Sequence, residues 1–343
     1  MNILKEILKI LRRLFKSLGK KEKKTLRLIN FFSWYTRKDK YNLNFQEENI
    51  NKNKDYLIKE NLWPKRIAAC IAFSYKEERL NFLNKICKNL EVIDNNIDIT
   101  IIVNDIGFSK RDIIKEKILL DCSVNVNFFN PKNLLDPRLL PFAHFEVVKE
   151  KIKQNEFSHF LYLEDDILIS EKNIKYWVTA RNSLKEYGLI PSFVRTELNF
   201  VDNQRYIVDS IKKNNFFLLP KIFNKEKNFA FTNLLSFYSG IYFYDKELMT
   251  EHLSGPSKSI DFGHGSYNQK WIIPEMQELG LLERASAGLA FKDVPKGFLH
   301  RNVIPVDTKL KIIKDYCLIE HLSNKFANEN SDFGKIKVED IFN

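Results

Sequence analysis

The chain has 343 residues, of which 44% are hydrophobic and 13% aromatic, and it carries a formal net charge of +11. That length and apolar content can bury one large core or two modest ones. Residues 1–24 alone hold a net charge of +7, so only +4 remains for the rest of the chain. Because the basicity belongs to one terminal segment, and no zinc-finger, RNP-type or helix-turn-helix pattern follows, we expect no nucleic-acid partner.

The cysteine pattern and the hydropathy exclude two further classes of protein. The four cysteines have no CxxC spacing; they are Cys70, Cys87, Cys122 and Cys317. Scattered cysteines in apolar surroundings indicate reduced thiols in a cytosolic protein, and neither a disulfide framework nor a zinc site. No apolar run reaches the ~18 residues of a membrane-spanning helix, and no signal peptide is recognisable. We therefore expect a protein that is neither exported nor integral to a membrane.

Residues 1–24, MNILKEILKILRRLFKSLGKKEKK, have the pattern of an amphipathic helix. Apolar residues recur at three- and four-residue spacing from Leu4 to Leu18, and Gly19 can end the helix. Such a helix either docks on its own domain or lies in a membrane interface, and the density of lysine and arginine favours the interface. We expect a peripheral protein on the inner face of the cytoplasmic membrane, bound to anionic lipid through this segment.

Residues 25–64 are polar and rich in lysine and asparagine, which predicts a partly helical connector that ends at Pro64. Strand-like and helix-like segments alternate after it. Strands are predicted at 66–74, 97–105, 123–129 and 159–166, and helices at 76–90, 109–119 and 139–155. This alternation is typical of a parallel sheet covered by helices, and right-handed crossovers make it a nucleotide-binding half.

The pattern becomes less regular beyond residue 170. It predicts a helix at 173–188, paired strands in SFVRTELNF and QRYIVDS, and a strand that runs into a helix at 234–253. We predict one continuous α/β domain over 65–308, followed by a C-terminal tail at 309–343. Its nucleotide-binding half is 65–170, and its acceptor half, with a mixed sheet, is 171–308.

Three consecutive carboxylates, Glu164, Asp165 and Asp166, follow the fourth predicted strand in FLYLEDDILIS. If the strand continues through them, Glu164 and Asp166 point one way and Asp165 the other. Like charges ~4 Å apart repel by about 4 kcal/mol at an effective dielectric of 20, and the flanking residues include no lysine or arginine. Glu164 could cap the next helix and the aspartates could be solvated turn residues. Their position at a strand end favours a Mg²⁺ or Mn²⁺ site that also holds a diphosphate.

The segment HFLYLEDDIL, placed after a βαβαβα half, resembles the DxD or EDD signature of GT-A nucleotide-sugar glycosyltransferases. The stretches GLIPSFVRTE, YSGIYFYDKELM and ERASAGLAFKDVPKGFLHRNVIPVD are similar to a group of bacterial and fungal glycosyltransferase-like proteins. The resemblance covers about residues 66–308. It implies a GT-A-like, Rossmann-like fold in which a mixed, mainly parallel sheet is flanked by helices.

The resemblance implies roles for the acidic residues and for the ends of the first two strands. Asp166 would ligate the metal, Asp165 would meet the donor sugar or the water shell of the metal, and Glu164 would approach the ribose or the metal. The other implied contacts of the nucleotide sugar are Ser74, Tyr75, Arg79, Asn104 and Asp105. An ordinary surface turn at Tyr75 and Arg79, and helix capping by Asn104 and Asp105, are the alternatives.

The second half would supply a base if the reaction inverts configuration, with Asp261, Glu275 and Glu283 as candidates. Glu283 is favoured because the small residues of ERASAG follow it and because it matches the glutamate in the RE-x-A-A-x-G pattern of the resembling glycosyltransferase-like group, although Leu282 replaces the arginine of that pattern. We therefore expect Glu283 and Asp165 to be the catalytic residues. His300 is expected as a late metal ligand and Arg301 as a phosphate contact, with a structural role as the alternative.

The predicted reaction moves a sugar from a nucleoside-diphosphate sugar, expected to be a UDP-sugar, to a hydroxyl of an acceptor glycan, with Mn²⁺ or Mg²⁺ as cofactor. The expected acceptor is a lipid-linked, lipopolysaccharide or capsule glycan. The residues do not decide between inversion and retention. One alternative is a sugar-phosphate nucleotidyltransferase, which the glycine-free AFSYKEER disfavours. The other is a non-catalytic, membrane-tethered binding protein.

Overall fold

The computed structural model of the chain describes residues 43–104, 107–118, 120, 124–131, 134, 136–236, 238–260 and 279–343. The predictions for residues 1–24, Asp105, Asp261 and Glu275 therefore lie outside the described residues. Within those residues, no helix is long and apolar enough to cross a membrane.

The described strands are, in chain order, β1 (Ile67–Phe73), β2 (Ile97–Val103), β3 (Asn125–Phe129), β4 (His159–Glu164), β5 (Ile167–Leu168), β6 (Ile190–Pro191), β7 (Val194–Leu198), β8 (Arg205–Ile207), β9 (Lys221–Phe223), β10 (Phe229–Thr232), β11 (Ile241–Asp245), β12 (Asn302–Asp307), β13 (Ile312–Ile313), β14 (Leu318–His321) and β15 (Ile336–Lys337). The described α-helices are α1 (Lys54–Lys59), α2 (Leu80–Ile93), α3 (Phe108–Lys117), α4 (His144–Lys153), α5 (Glu171–Leu184), α6 (Lys246–Ser254), α7 (Leu281–Ala287) and α8 (Lys325–Asn328).

The first sheet has the strand order β11-β4-β1-β2-β3, in which the four N-terminal strands are parallel and β11 is antiparallel to β4. Every residue of β1 and β2 is buried, because helices cover both faces of a parallel sheet and such strands are apolar throughout. This arrangement confirms a mixed α/β fold with a mainly parallel sheet flanked by helices.

Two further mixed sheets form the second half. One has the order β13-β12-β10-β9, with β6 also paired to β12, and the other has the order β15-β8-β7-β14-β5. The pairing of β7 with β8 confirms the predicted strand pair in SFVRTELNF and QRYIVDS. Because β5 directly follows the acidic turn after β4, the first and third sheets meet at that turn.

The structure corrects two predicted boundaries. Residues 309–343 are not a separate tail, since β14 lies inside the third sheet between β7 and β5. Residues 43–64 of the predicted connector are part of the fold, because Leu43, Leu57 and Trp63 are buried in the main core. Cys70, Cys87 and Cys317 are buried free thiols, as predicted, and Cys122 lies outside the described residues.

Candidate functional site

The carboxyl ends of β1, β2 and β4 lie side by side, because these strands are hydrogen-bonded neighbours of the same sheet. The backbone N–H of Tyr75, just after β1, donates to Asn104 Oδ1, just after β2, at 3.0 Å. Ser74 is exposed at this edge and Tyr75 is half-buried. The structure thus brings together three of the residues predicted to contact the nucleotide.

The acidic residues lie at the neighbouring strand end, and their arrangement differs from the predicted one. Strand β4 ends at Glu164, Asp165 and Asp166 form a turn, and β5 begins at the next residue. The alternation of a strand therefore stops at Glu164, and the prediction that Glu164 and Asp166 share a face is wrong. Instead, Asp165 and Asp166 share one partner, and Glu164 has different ones.

Arg79 is the shared partner of the two aspartates. One guanidinium nitrogen, Nη2, lies 2.7 Å from Asp165 Oδ1 and 2.5 Å from Asp166 Oδ2. Arg79 is the last residue of a short 3₁₀ helix at Glu77–Arg79, between β1 and α2, and from there its side chain reaches both aspartates. Because this guanidinium lies between the two carboxylates, it supplies part of the neutralising charge that the flanking sequence lacks.

His321 is the second basic side chain beside the acidic turn. Its Nε2 lies 3.1 Å from Asp166 Oδ2 and its Nδ1 contacts Glu197. The pairing of β14 with β5 places His321 opposite Ile167, immediately after the turn. Burial opposes protonation of His321, but its contacts with Asp166 and Glu197 outweigh burial and raise its pKa. The imidazole is therefore held towards its charged form.

Glu164 contacts a second group of side chains. Arg195 Nη1 lies 3.7 Å from Glu164 Oε2, and the hydroxyl of Tyr238 donates to Glu164. Arg195 is itself fixed by two hydrogen bonds to Asp209, at 2.6 and 3.0 Å. Gly240 has φ +67°, and a Cβ there would lie 3.0 Å from Glu164 Oε2, so this glycine leaves room for the carboxylate.

The site contains more acidic than basic side chains. Five acidic side chains face three basic ones; the acidic ones are Glu164, Asp165, Asp166, Glu197 and Asp209, and the basic ones are Arg79, Arg195 and His321. Burial raises the pKa of Asp165 to about 8, and burial also raises that of Glu164. For Asp166, the hydrogen bond and charge of His321 and the charge of Arg79 outweigh burial and lower the pKa. A further cation would stabilise the ionised carboxylates of this cluster.

Two carboxylate oxygens in this turn have no hydrogen-bond partner among the described residues. They are Asp165 Oδ2 and Asp166 Oδ1, and both atoms are buried. A buried, unpaired carboxylate oxygen is costly, and it is a ligand that Mg²⁺ and Mn²⁺ accept. Among the described residues, no group of three or more His, Cys, Asp or Glu side chains is spaced to hold a metal ion. Two carboxylates still fit a Mg²⁺-type site, because such ions keep several waters and share phosphate oxygens with the substrate.

Glu283, the predicted base, lies on a cavity that adjoins this cluster. The cavity has a volume of about 100 Å³, and Arg195, Asp209 and Tyr238 also line it. Glu283 is half-buried at the start of α7, and its carboxylate accepts the backbone N–H of Gly280. This contact caps the first turn of α7 and fixes the position of the carboxylate oxygen that accepts the hydrogen bond. The structure therefore brings Glu283 to the side chains that hold Glu164.

His300 and Arg301 are corrected to structural roles. His300 Nε2 lies 2.8 Å from the Leu234 carbonyl oxygen, and Nδ1 lies 3.2 Å from Asn233 Nδ2. With both ring nitrogens engaged, this histidine has no lone pair to offer a metal. Arg301 is buried and donates to the Gly188 carbonyl oxygen at 2.8 Å and to Glu251 at 2.6 Å. It joins two parts of the second half and is not available for a phosphate.

Sequence reasoning missed five charged or polar members of the cluster, which are Arg195, Glu197, Asp209, Tyr238 and His321. Arg195 and Glu197 interrupt the apolar strand of GLIPSFVRTE, and a charged residue in a buried strand is a signal for a site. Tyr238 opens YSGIYFYDKELM, which carries part of the resemblance. His321 gave no usable signal, because it belongs to the segment predicted as a tail.

Comparisons with known proteins give only weak similarities. No family model matches the chain, and no curated protein matches its sequence. The mannosyltransferase PcManGT from Pyrobaculum calidifontis, solved in complex with GDP-Man and Mn²⁺, is similar with a TM-score of 0.37 and 8% identity, covering 71% of this chain and 58% of that one. TarS 1–349 from S. aureus is similar with a TM-score of 0.31 and 12% identity, covering 54% of this chain and 48% of that one. This chain spans less than two thirds of either structure, and similarities at this level assign no function.

Proposed function

We propose that the protein is a metal-dependent glycosyltransferase that moves a sugar from a nucleoside-diphosphate sugar, a UDP-sugar in the first instance, to a hydroxyl group. One observation carries the proposal: at the carboxyl end of β4, Asp165 and Asp166 each have a buried carboxylate oxygen that finds no hydrogen-bond partner in the part of the chain that the structure describes. The ends of parallel strands in open α/β sheets border ligand crevices. Unpaired carboxylate oxygens at that edge support a cation that is shared with a diphosphate.

Asp165 and Asp166 would hold the Mg²⁺ or Mn²⁺ ion through these two oxygens, and Glu164 would approach the ribose or the metal. A cation bound there supplies electrostatic stabilisation to the leaving diphosphate. Arg79 lies between the aspartates and can donate hydrogen bonds to the same phosphates. We assign the nucleoside to Ser74, Tyr75 and Asn104, at the ends of β1 and β2, and to Asp105, which follows Asn104 in the sequence.

The acceptor would enter from the cavity lined by Glu283. If the reaction inverts configuration, Glu283 is the proposed base that takes the proton of the attacking hydroxyl. The position of Glu283 beside Arg195 and Tyr238, which in turn contact Glu164, supports this assignment. A retaining reaction would need no base, and Glu283 would then only position the acceptor.

The proposed acceptor is a lipid-linked, lipopolysaccharide or capsule glycan at the inner face of the cytoplasmic membrane. The support is the basic amphipathic pattern of residues 1–24, which suits reversible attachment to anionic lipid. Attachment would keep the enzyme close to a membrane-bound acceptor.

A second candidate function is a membrane-tethered binding protein without catalysis. Arg79 and His321 support it, because they already neutralise part of the acidic charge from within the protein. The two candidates differ in whether the cluster takes up a divalent cation together with a nucleotide.

The test is a screen of UDP- and GDP-sugars for transfer or hydrolysis, with and without Mn²⁺, combined with calorimetry of UDP binding. We expect turnover of at least one nucleotide sugar with Mn²⁺ present, and loss of at least about 100-fold of that activity in Asp166→Asn. Asp315→Asn, which removes an exposed carboxylate paired with Lys172, is the matched control and is expected to leave activity unchanged. Absence of both turnover and Mn²⁺-dependent UDP binding would refute the transferase and favour the binding protein.

A further inference from the structure

Two surface loops in the second part of the chain carry exposed apolar side chains next to lysines, and a third, lysine-rich turn adjoins them. The 3₁₀ turn after Asn215 exposes Phe217 by 64% and Leu218 by 53%, and the turn between β12 and β13 exposes Leu310 by 68%. The preceding residue, Phe216, is by contrast buried. Large apolar groups that share a surface with charged neighbours mark an interaction site.

Contacts between the loops join these side chains into one surface. Lys311 Nζ lies 4.5 Å from the centroid of the Phe217 ring, so the β12–β13 turn touches the loop that carries Phe217. Thr308 donates to the Lys227 carbonyl oxygen at 2.6 Å, which ties the β9–β10 turn to the same place. We call Phe217, Leu218, Leu310, Lys309 and Lys311 the loop surface.

The three segments are mainly basic, and two acidic residues adjoin them: Asp307 accepts the backbone N–H of Lys309 and of Leu310, and Asp340 lies 3.8 Å from Lys213. Residues 210–218, 224–228 and 308–311 together contain six lysines and one acidic residue, Glu226. Lysines alone would fit many polyanions, but Phe217, Leu218 and Leu310 offer aliphatic and aromatic groups that a polar partner would not bury. Basic and apolar side chains on one surface fit an anionic lipid interface, where apolar groups enter the acyl boundary and lysines meet the headgroups.

The chain enters the described fold beside the β9–β10 turn. Leu43, the first described residue, donates its N–H to the Phe223 carbonyl oxygen at 2.9 Å and pairs with Asn224, at the start of that turn. The 42 residues before it include the basic amphipathic segment 1–24. The chain therefore joins the described fold at the turn that Thr308 connects to the β12–β13 turn.

We propose that the loop surface is a second membrane-contact site, which binds anionic lipid bilayers directly and orients the folded body on them. This inference does not depend on the sugar transfer proposed above, because neither the acidic cluster nor the nucleotide residues belong to the loop surface. It concerns the folded part of the chain, in addition to the segment 1–24.

The first experiment measures co-sedimentation of the full chain with vesicles of phosphatidylcholine alone and with phosphatidylglycerol added. In the variant F217S/L218S/L310S we expect affinity for the anionic vesicles to fall about tenfold or more, because three apolar side chains that would enter the bilayer are lost. In K309E/K311E we expect a similar loss that shrinks as salt is added. Because residues 1–24 are unchanged in every variant, any difference reports the loop surface.

The matched control is F200S/V201S in the β7–β8 turn, where the two side chains are 70% and 94% exposed next to Asp202. We expect this control to bind vesicles within about twofold of the unchanged protein. Equal thermal stability of all variants excludes unfolding as the cause. The proposal is overturned if the triple variant binds vesicles as well as the unchanged protein does. It is also overturned if the triple variant loses binding to single-stranded RNA but keeps its binding to vesicles.

A second readout locates the contact. A tryptophan introduced by F217W should be quenched by brominated lipid in anionic vesicles beyond the quenching of the native tryptophans. The control F200W should add no quenching. If F217W also adds none while the protein is bound, the loop surface does not touch the bilayer and the proposal fails.

Discussion

The two aspartates of the acidic turn have different environments although they are adjacent in sequence. Contacts with His321 and Arg79 outweigh burial and lower the pKa of Asp166, whereas burial raises the pKa of Asp165 to about 8. Burial therefore disfavours the ionised form of Asp165, whereas the two basic neighbours favour that of Asp166. A divalent cation at this turn would favour the ionised form of Asp165, so metal binding should release protons.

Replacing Arg79 is expected to change Mn²⁺ binding and UDP binding in opposite directions. In Arg79→Gln the aspartates lose a competing cation, so we expect Mn²⁺ alone to bind about tenfold more tightly. The same change removes a phosphate donor, so we expect UDP in the presence of Mn²⁺ to bind about tenfold more weakly. Calorimetry of the two titrations checks both.

The control for Arg79 is Arg138→Gln, which removes an arginine that is paired with Asp136 at the surface. It should change neither titration. If Arg79→Gln weakened Mn²⁺ and UDP binding equally, the view that this arginine competes with the cation would be wrong.

Glu251 gives a prediction about pH and stability. Burial opposes its ionisation, but hydrogen bonds from Arg301 and Lys292 outweigh burial and hold its pKa below the ordinary value of 4.5. A lowered pKa in the folded state adds stability that is complete above about 4.5 and is lost as the pH falls through the folded pKa. We expect Glu251→Gln to lower the free energy of unfolding by about 2 kcal/mol at pH 7 and by less at pH 3.5.

Urea unfolding at the two pH values measures this difference. Glu247→Gln on the same helix is the control, because its carboxylate is 57% exposed. It pairs with the exposed Lys185 and lies 3.5 Å from Arg181, which Asp245 holds at 2.7 Å, so we expect it to contribute ~0–1 kcal/mol. A cost for Glu251→Gln that is as large at pH 3.5 as at pH 7 would contradict the ionic role of this pair.

At the scale of elements, the C-terminal residues complete the third sheet and deliver His321 and α8 to the site. The backbone N–H of Ala327 in α8 donates to Glu197 Oε2 at 2.6 Å, and Glu197 also contacts His321. The position of α8 therefore fixes the carboxylate that supports the histidine.

Gly334 sets the distance between α8 and the chain that leads to β15. Its φ is +66°, and an added Cβ would lie 2.7 Å from the Phe326 carbonyl carbon and 2.8 Å from the Ala327 nitrogen. Backbone atoms of a helix cannot move aside cheaply, so we expect Gly334→Ala to cost about 2–4 kcal/mol in the free energy of unfolding. Gly107→Ala is the control, because no atom of the described residues lies within 4 Å of its added Cβ, and we expect a change below ~1 kcal/mol. Equal costs in urea unfolding would contradict the close approach.

Strands that are covered on both faces are predicted more accurately from the sequence than short strands that are partly exposed. β1 and β2 are apolar at almost every position because both their faces are covered, and their predicted ranges enclose the observed ones. β14, LIEH, alternates buried and half-buried residues and is only four residues long, so its sequence does not stand out. Its place in the sheet depends on partners more than 100 residues away, and no local pattern encodes that.

At the scale of the whole molecule, the proposed membrane attachment has two parts, residues 1–24 and the loop surface. We expect a protein that lacks residues 1–24 to lose about tenfold or more in affinity for anionic vesicles, yet to retain a salt-sensitive remainder through the loop surface. Co-sedimentation over a range of salt concentrations measures both components. Binding that is unchanged without residues 1–24 would contradict the proposed role of that segment.

The sequence alone determined the alternation of buried strands and helices, the mainly parallel sheet and the position of Glu164, Asp165 and Asp166 at a strand end. These features are local, since periodicity and apolar runs are written in neighbouring residues. Only the tertiary structure decided that the strand stops at Glu164, that Arg79, Arg195 and His321 neutralise part of the charge, and that His300 and Arg301 are structural. Those outcomes depend on charges brought together from distant parts of the chain, and their interaction is set by distance in space and by burial.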